Sequence, residues 1–105
     1  MAEPNRGEVW LVDLGFVAKI RPCLVLSIPA SGPNDRALVT LVAHTTSLRG
    51  SAFEVSIPVR FLKTGAFDAQ NLVTIPRAKL VRRLGELSVD QLSKVEEVVR
   101  RWLGL

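Results

Sequence analysis

Only one stretch of this chain repeats its apolar residues at the helical period, and it lies near the C-terminus. Val89, Leu92, Val95, Val98, Val99, Trp102 and Leu103 fall on one stripe. Ser88 with Gln91 three residues on is a capping box that starts the helix. Glu96 with Arg100 and Glu97 with Arg101 are i,i+4 pairs in the favourable order. Asp90 sits near the positive end of the helix dipole, Arg100 and Arg101 near the negative end, and Gly104 follows as a stop. Everything before this helix is short β-branched runs punctuated by proline and glycine. A single amphipathic helix after many strands has a sheet to cover, so the expected fold is mainly β: a small, strongly curved antiparallel β-barrel with the terminal helix packed on it.

The runs are distinct. Residues 8–14 are β-branched and aromatic and read as the first strand. Residues 15–20 are a short connection carrying Lys19. Residues 21–28 form the second strand, apolar at nearly every position, as expected where both faces are covered. Pro22 has no amide proton and belongs at a strand's start or on an edge. Residues 37–44 are the third strand, after a turn cluster at 30–35, and 47–51 form a basic, glycine-containing loop. Residues 53–57 alternate apolar and polar, the pattern of a half-exposed strand closed by Pro58. A turn at Lys63-Thr64-Gly65 precedes a fifth strand over 70–75, stopped by Pro76. Residues 77–80 read as a helical turn or bend, and 81–84 as a short strand before Gly85.

At 105 residues the whole chain, 1–105, is expected to be one domain. It carries 48% hydrophobic and 23% charged residues, a globular rather than a disordered balance. A formal net charge of +4 favours polyanions, whether nucleic acid, an acidic protein segment or a membrane surface. One cysteine, Cys23, excludes an internal disulfide and fits a reducing compartment. No apolar run nears the roughly 18 residues that a membrane span needs. The polar first residues carry no signal-peptide core, so a cytoplasmic protein is the default expectation.

Two strand ends carry the candidate chemistry. Arg21 opens the second strand, and Thr45-Thr46 follow the third. If those strands lie side by side, a guanidinium and one or two hydroxyls meet at a shared rim, a small cationic site that suits a phosphodiester. Taken singly, Arg21 is also what a solvated strand entrance looks like, and threonines are common in strands. One Cys and one His cannot build a tetrahedral zinc site without carboxylates, and none stands at ligand spacing from His44, so no metal is expected. No glycine-rich phosphate loop is present. Cys23 in an apolar strand reads as a core residue. His44 is either a general acid or base, its pKa lying near neutrality, or a strand-end histidine satisfied by a neighbour. In a regular strand His44 and Thr45 point to opposite faces, so if Thr45 faces the groove His44 does not, unless the strand twists or bulges there. The remaining basic residues scatter, from Arg49 to Arg77, Lys79, Arg82 and Arg83. Residue chemistry thus reaches a basic β-barrel with a candidate anion site.

Read together, Arg6-Gly7-Glu8-Val9-Trp10, Ile20-Arg21-Pro22-Cys23-Leu24-Val25-Leu26-Ser27 and His44-Thr45-Thr46-Ser47 with Phe53-Glu54-Val55 resemble the MazF/PemK toxins of bacterial toxin–antitoxin systems. The resemblance continues through residues 70–80 and Leu84-Gly85-Glu86-Leu87-Ser88, covering almost the whole chain in order. It implies a CcdB/PemK-like barrel, usually a homodimer, and a sequence-specific endoribonuclease that cuts single-stranded mRNA without a metal or other cofactor. It also implies an antitoxin whose acidic, flexible C-terminal part lies over the RNA groove. The family's catalytic arginine precedes the proline of the second strand, here Arg21, and its catalytic threonine matches Thr45, with Thr46 one register away. Lys19, Arg49 and Gln70 are the implied RNA contacts, Gln70 with an offset of one residue left open.

One stretch departs from the family pattern. Many members have a longer first loop with a Gly-Ser-Glu stretch whose glutamate has been considered a base, whereas residues 15–20 here are shorter and carry no acid. His44 is the candidate to fill that gap. Two other readings share the fold: a CcdB-like poison of DNA gyrase, for which Trp102 near the C-terminus is the suggestive residue, and a member that binds antitoxin or RNA without cutting.

Overall fold

The computed structural model describes residues 3–15 and 19–105. The apolar runs become six strands: β1 (Glu8–Asp13), β2 (Ile20–Val25), β3 (Leu38–Thr45), β4 (Glu54–Val55), β5 (Ala66–Pro76) and β6 (Leu80–Glu86). A 3-10 turn, Arg77–Lys79, links the last two, and the helix α1 (Val89–Leu103) ends the chain. All neighbouring strands pair antiparallel in one sheet of order β4-β5-β3-β2-β1-β6. This is the mainly β class with a C-terminal helix that the periodicity predicts.

Apolar residues are buried on both faces. Val9, Leu24, Val42 and Phe67 join Val95 and Val99 of α1 in one cluster. Trp10, Val12, Cys23, Val25, Val39, Leu41 and Ala43 form a second. A flat sheet with one helix would leave the second set wet. Its burial, with Cys23, Val25 and Leu41 fully excluded from solvent, requires the sheet to curl over its own second face. That explains why β2 is apolar without alternation. Pro22 is tolerated because β2 pairs with β3 only from Cys23 onward, so its missing amide falls past the end of that ladder.

The helix start is as the sequence predicts. Ser88 Oγ accepts from Gln91 N at 3.1 Å, and Gln91 Oε1 accepts from Ser88 N at 2.9 Å. Gly104, left-handed at φ 73°, closes it.

Beyond one-residue shifts, four strands differ from expectation, and β4 is only Glu54–Val55 where 53–57 reads as a strand. β2 stops at Val25 because the amides of Leu26 and Ser27 both turn to Thr40 O, at 2.9 and 3.4 Å, in a bulge-like crowding of that carbonyl. β5 begins at Ala66, so the turn at 63–65 feeds it directly, and it runs through Pro76. β6 is a full edge strand paired with β1, anchored by Arg83 Nε donating to Glu8 Oε2 at 3.0 Å.

Candidate active site

The β2–β3 register decides whether the two strand ends meet. Its pairs are Cys23↔Ala43, Leu24↔Val42 and Val25↔Leu41. Continued two residues past the last pair, the same register sets Arg21 opposite Thr45, on the face carrying buried Cys23 and Ala43. Both residues line the same two adjoining cavities. The first, about 370 Å³, is walled by Pro22, Phe61, Leu62 and Leu84, with Lys63 at its side. The second, about 280 Å³, is walled by Arg49, Glu54, Asp68 and Asn71. Ser47 also lines both. Larger hollows at 56–65 and around 59–61 and 86–91 contain neither Arg21 nor Thr45.

Thr45 Oγ1 accepts from Ser47 N at 3.0 Å, which fixes the hydroxyl oxygen at the strand's end. Its own proton has only a long 3.4 Å contact with Ser47 O, so it can turn to a stronger acceptor such as a phosphate oxygen. Gly65 makes this end possible: a Cβ there would stand 2.2 Å from Thr45 O and 2.8 Å from His44 Cε1.

His44 is buried, its ring edge-on to Phe67 at 5.0 Å, yet it also lines the first cavity. β3 keeps its alternation here: His44 lies with Val42 and Phe67 on one face and Thr45 with Ala43 on the other, and the register shift between Val42 and His44 is taken up by extra residues of β5. Burial lowers its pKa from the usual 6.5, so the imidazole is neutral at neutral pH. Cys23 lies in the core, and burial pushes its thiol up to about 12 against the opposing pull of Arg21, which disqualifies it as a nucleophile.

The loop 47–51 is held by one carboxylate. Glu54 accepts from Arg49 N at 2.9 Å, Gly50 N at 2.8 Å and Ser51 N at 3.0 Å. The Arg49 amide, with those of Ser51 and Gly50, holds the Glu54 carboxyl below the ordinary carboxylate range. The loop so fixed carries Arg49 to the second cavity.

Of the other sequence-predicted residues, Thr46 lines the first cavity and not the second. Gln70 lines a third, of about 250 Å³, with Arg49, Ser51, Glu54, Asp68 and Asn71. Asn71, its neighbour, reaches the Arg21–Thr45 cavity where Gln70 does not. Lys19, at φ 58° in the β1–β2 connection, lines none of these cavities. The middle of the short first loop, 16–18, lies outside the described residues. Sequence reasoning missed Lys63, read only as part of a turn, and Glu54, read only as the polar position of an alternating strand. It also missed Asp68, which lay before the expected start of its strand. Among the described residues no group of three or more His, Cys, Asp or Glu is placed to hold a metal ion. No described helix is long and apolar enough to cross a membrane.

A basic cleft at the shared end of two strands, on a curled sheet backed by one helix, defines a small β protein built to meet an anion. Residues 5–103 match the family described as PemK-like, MazF-like toxin of type II toxin-antitoxin system, and the chain belongs to that family. It is 32% identical over 105 residues to "Endoribonuclease MazF4" of Mycobacterium tuberculosis, covering 100% of this chain and 97% of that protein. A mycobacterial endoribonuclease solved in complex with its cognate antitoxin superposes with a TM-score of 0.82 at 30% identity, over 97% of this chain and 96% of that one. A MazE-MazF structure from Deinococcus radiodurans gives a TM-score of 0.78 at 28% identity, over 100% and 99% of the two chains.

Proposed function

We propose that this toxin is an endoribonuclease that cuts single-stranded mRNA at short sequences without a metal, using Arg21 and Thr45 to hold the reacting phosphate. Its class, a type II toxin of the MazF kind, rests on family membership and on identity along the full chain with endoribonucleases. The observation that carries the site is the joint lining of two cavities by Arg21 and Thr45.

The chemistry follows from these groups. The ribose 2′-oxygen bonds to the adjacent phosphorus, and the bond from phosphorus to the 5′-oxygen breaks, that oxygen taking a proton from solvent water. The products are a 2′,3′-cyclic phosphate and a 5′-hydroxyl. Charge builds on the non-bridging oxygens. Arg21 meets it with a planar fork of donors, and Thr45 adds one hydroxyl donor. His44, neutral and lining the first cavity, takes the 2′-proton in place of the acid absent from the first loop. The need for a 2′-hydroxyl confines the reaction to RNA.

The reading includes a homodimer acting in the cytoplasm, where mRNA is found, and an acidic antitoxin that covers the basic cleft. The relatives solved with an antitoxin support that partner. A gyrase poison is not favoured: the matched relatives are endoribonucleases. Incubating the purified protein with a long RNA in EDTA, and mapping the ends, tests the proposal. Defined cuts bearing cyclic phosphates support it. Intact RNA, with or without Mg²⁺, defeats it.

A further inference from the structure

The second cavity holds a group that a phosphate site should not want. Asp68 lines it beside Arg21 and Arg49, and a carboxylate there repels a polyanion's backbone. Glu54, the other carboxylate, has its charge absorbed by three backbone amides. Asp68 is different. Among the described residues its one hydrogen bond is from Gln70 N to Oδ1, at 3.1 Å, and it makes no ion pair. Among the described residues no donor reaches its other oxygen.

The backbone presents Asp68 by an irregularity in β5. Between the pairs Val42↔Leu72 and His44↔Phe67, β3 has one residue, Ala43, whereas β5 has four, 68–71. This wide bulge lifts the segment off the β3 ladder and turns Asp68 and Asn71 into the cavity that Arg21 and Thr45 share. Bulges of this kind re-aim side chains beside functional sites. Asp68 is tied to the neighbouring strand through its pairing with Glu54, so its position is fixed from the β4 side.

An acceptor-only group placed against a nucleic acid calls for a donor, and the donors an RNA strand offers beyond its 2′-hydroxyls are on the bases. We infer that Asp68 reads an exocyclic amino group on the base next to the cut, so that adenine, cytosine or guanine is favoured there over uracil, whose one edge donor, N3–H, stands between two carbonyl oxygens that repel a carboxylate. Unstacked bases are read on such edges in single-stranded RNA, and carboxylates accept from base amino groups. Asn71, with both a donor and an acceptor, completes the edge contact. This rests on the ribonuclease reading above and adds to it a specificity-determining residue.

The test uses RNA oligonucleotides spanning a mapped cut, with each of the four bases at every flanking position, and compares kcat/KM. At one position the wild type should disfavour uracil by about 5- to 150-fold. Asp68→Asn keeps Oδ1 for the Gln70 amide but turns the other oxygen into an NH2 that can meet a uracil carbonyl. It should cut the preferred RNA and lose most of the uracil penalty. Asp68→Ala should lose the penalty too, without a new uracil contact, and serves if the first variant misfolds. A wild type that cuts RNA but accepts uracil equally at every flanking position overturns the inference and leaves the nuclease standing. So does an Asp68→Asn protein that keeps the full penalty. A wild type that cuts no RNA removes the reading beneath it.

Discussion

The two cavities that meet at Arg21 and Thr45 share a wall and little else. One is faced by Pro22, Phe61, Leu62 and Leu84 and has Lys63 as its added cation. The other is faced by Arg49, Glu54, Asp68 and Asn71. An apolar wall offers a flat surface to a base's face, and a polar wall offers donors and acceptors to its edge. Besides Ser47, the two hollows have Arg21 and Thr45 in common. The comparison teaches that an apolar wall and a polar wall flank one arginine–threonine pair, so that on the proposed reading the contacts to phosphate and to bases can be altered separately.

Removing the shared wall should cost most. Arg21→Ala takes away the fork that meets the developing charge, and loss of one such donor costs about 10²- to 10³-fold in rate. Thr45→Ala should cost less, since a neutral hydroxyl donates a weaker bond. Both variants should melt near the wild-type temperature, because neither side chain belongs to a core cluster. Relief of growth arrest on expression, beside an unchanged melting curve, is the expected pair of results. Full activity in Arg21→Ala would sever the wall from the chemistry.

Next comes a change that touches neither group directly. Gly65→Ala drives a methyl into Thr45 O and the His44 ring. The obstacle at Thr45 is backbone, which cannot rotate away. Overpacking of this kind costs about 1–3 kcal/mol of stability. Activity should fall together with the melting temperature, in contrast to Arg21→Ala. An active Gly65→Ala protein would mean that the end of β3 tolerates displacement.

The pH profile sharpens the comparison from the first cavity's side. His44 has its pKa lowered below 6.5 by burial, so its basic form dominates at and above that pH. As pH falls through the lowered value, the imidazole protonates and can no longer take the 2′-proton. kcat/KM should then drop about tenfold per pH unit. His44→Ala should be slow and lack this acid limb. A His44→Ala protein that keeps the wild-type rate and the same acid limb removes His44 from the role.

How far the sequence led depended on whether a feature is local. The helix was legible because capping and periodicity are properties of consecutive residues, and Ser88 and Gln91 bond as their spacing predicts. The β2 run was legible because its lack of alternation reports burial on both faces. The meeting of Arg21 with Thr45 was conditional, since register is a pairing between distant segments. The opposite facing of His44 and Thr45 was legible from strand alternation, whereas the extra residues of β5 that face this strand end leave no mark in composition. Asp68 was invisible for the same reason: a bulge is defined against a partner strand, and Asp68-Ala69-Gln70-Asn71 read alone looks like the approach to a strand. Asn71, one residue on from Gln70, lines the Arg21–Thr45 cavity where Gln70 does not, a placement set by backbone geometry and not by residue type.

The smallest expected effect isolates the polar side from the shared wall. Glu54 touches nothing in the proposed reaction. It grips the amides of Arg49, Gly50 and Ser51, and so sets where Arg49 stands. Glu54→Ala frees that loop. If Arg49 meets an RNA phosphate, its displacement removes one counterion-releasing contact, and the slope of log affinity against log salt for single-stranded RNA should shrink by about 0.7. Arg49→Ala should give the same slope, and the double variant no further change, because both substitutions delete one contact. Glu54→Gln keeps one acceptor oxygen and should fall between. A general loss of stability would weaken binding without this slope and without the non-additivity. If Glu54→Ala and Arg49→Ala instead reduce the slope additively, the carboxylate and the guanidinium act independently, and the polar cavity is not organised around its loop.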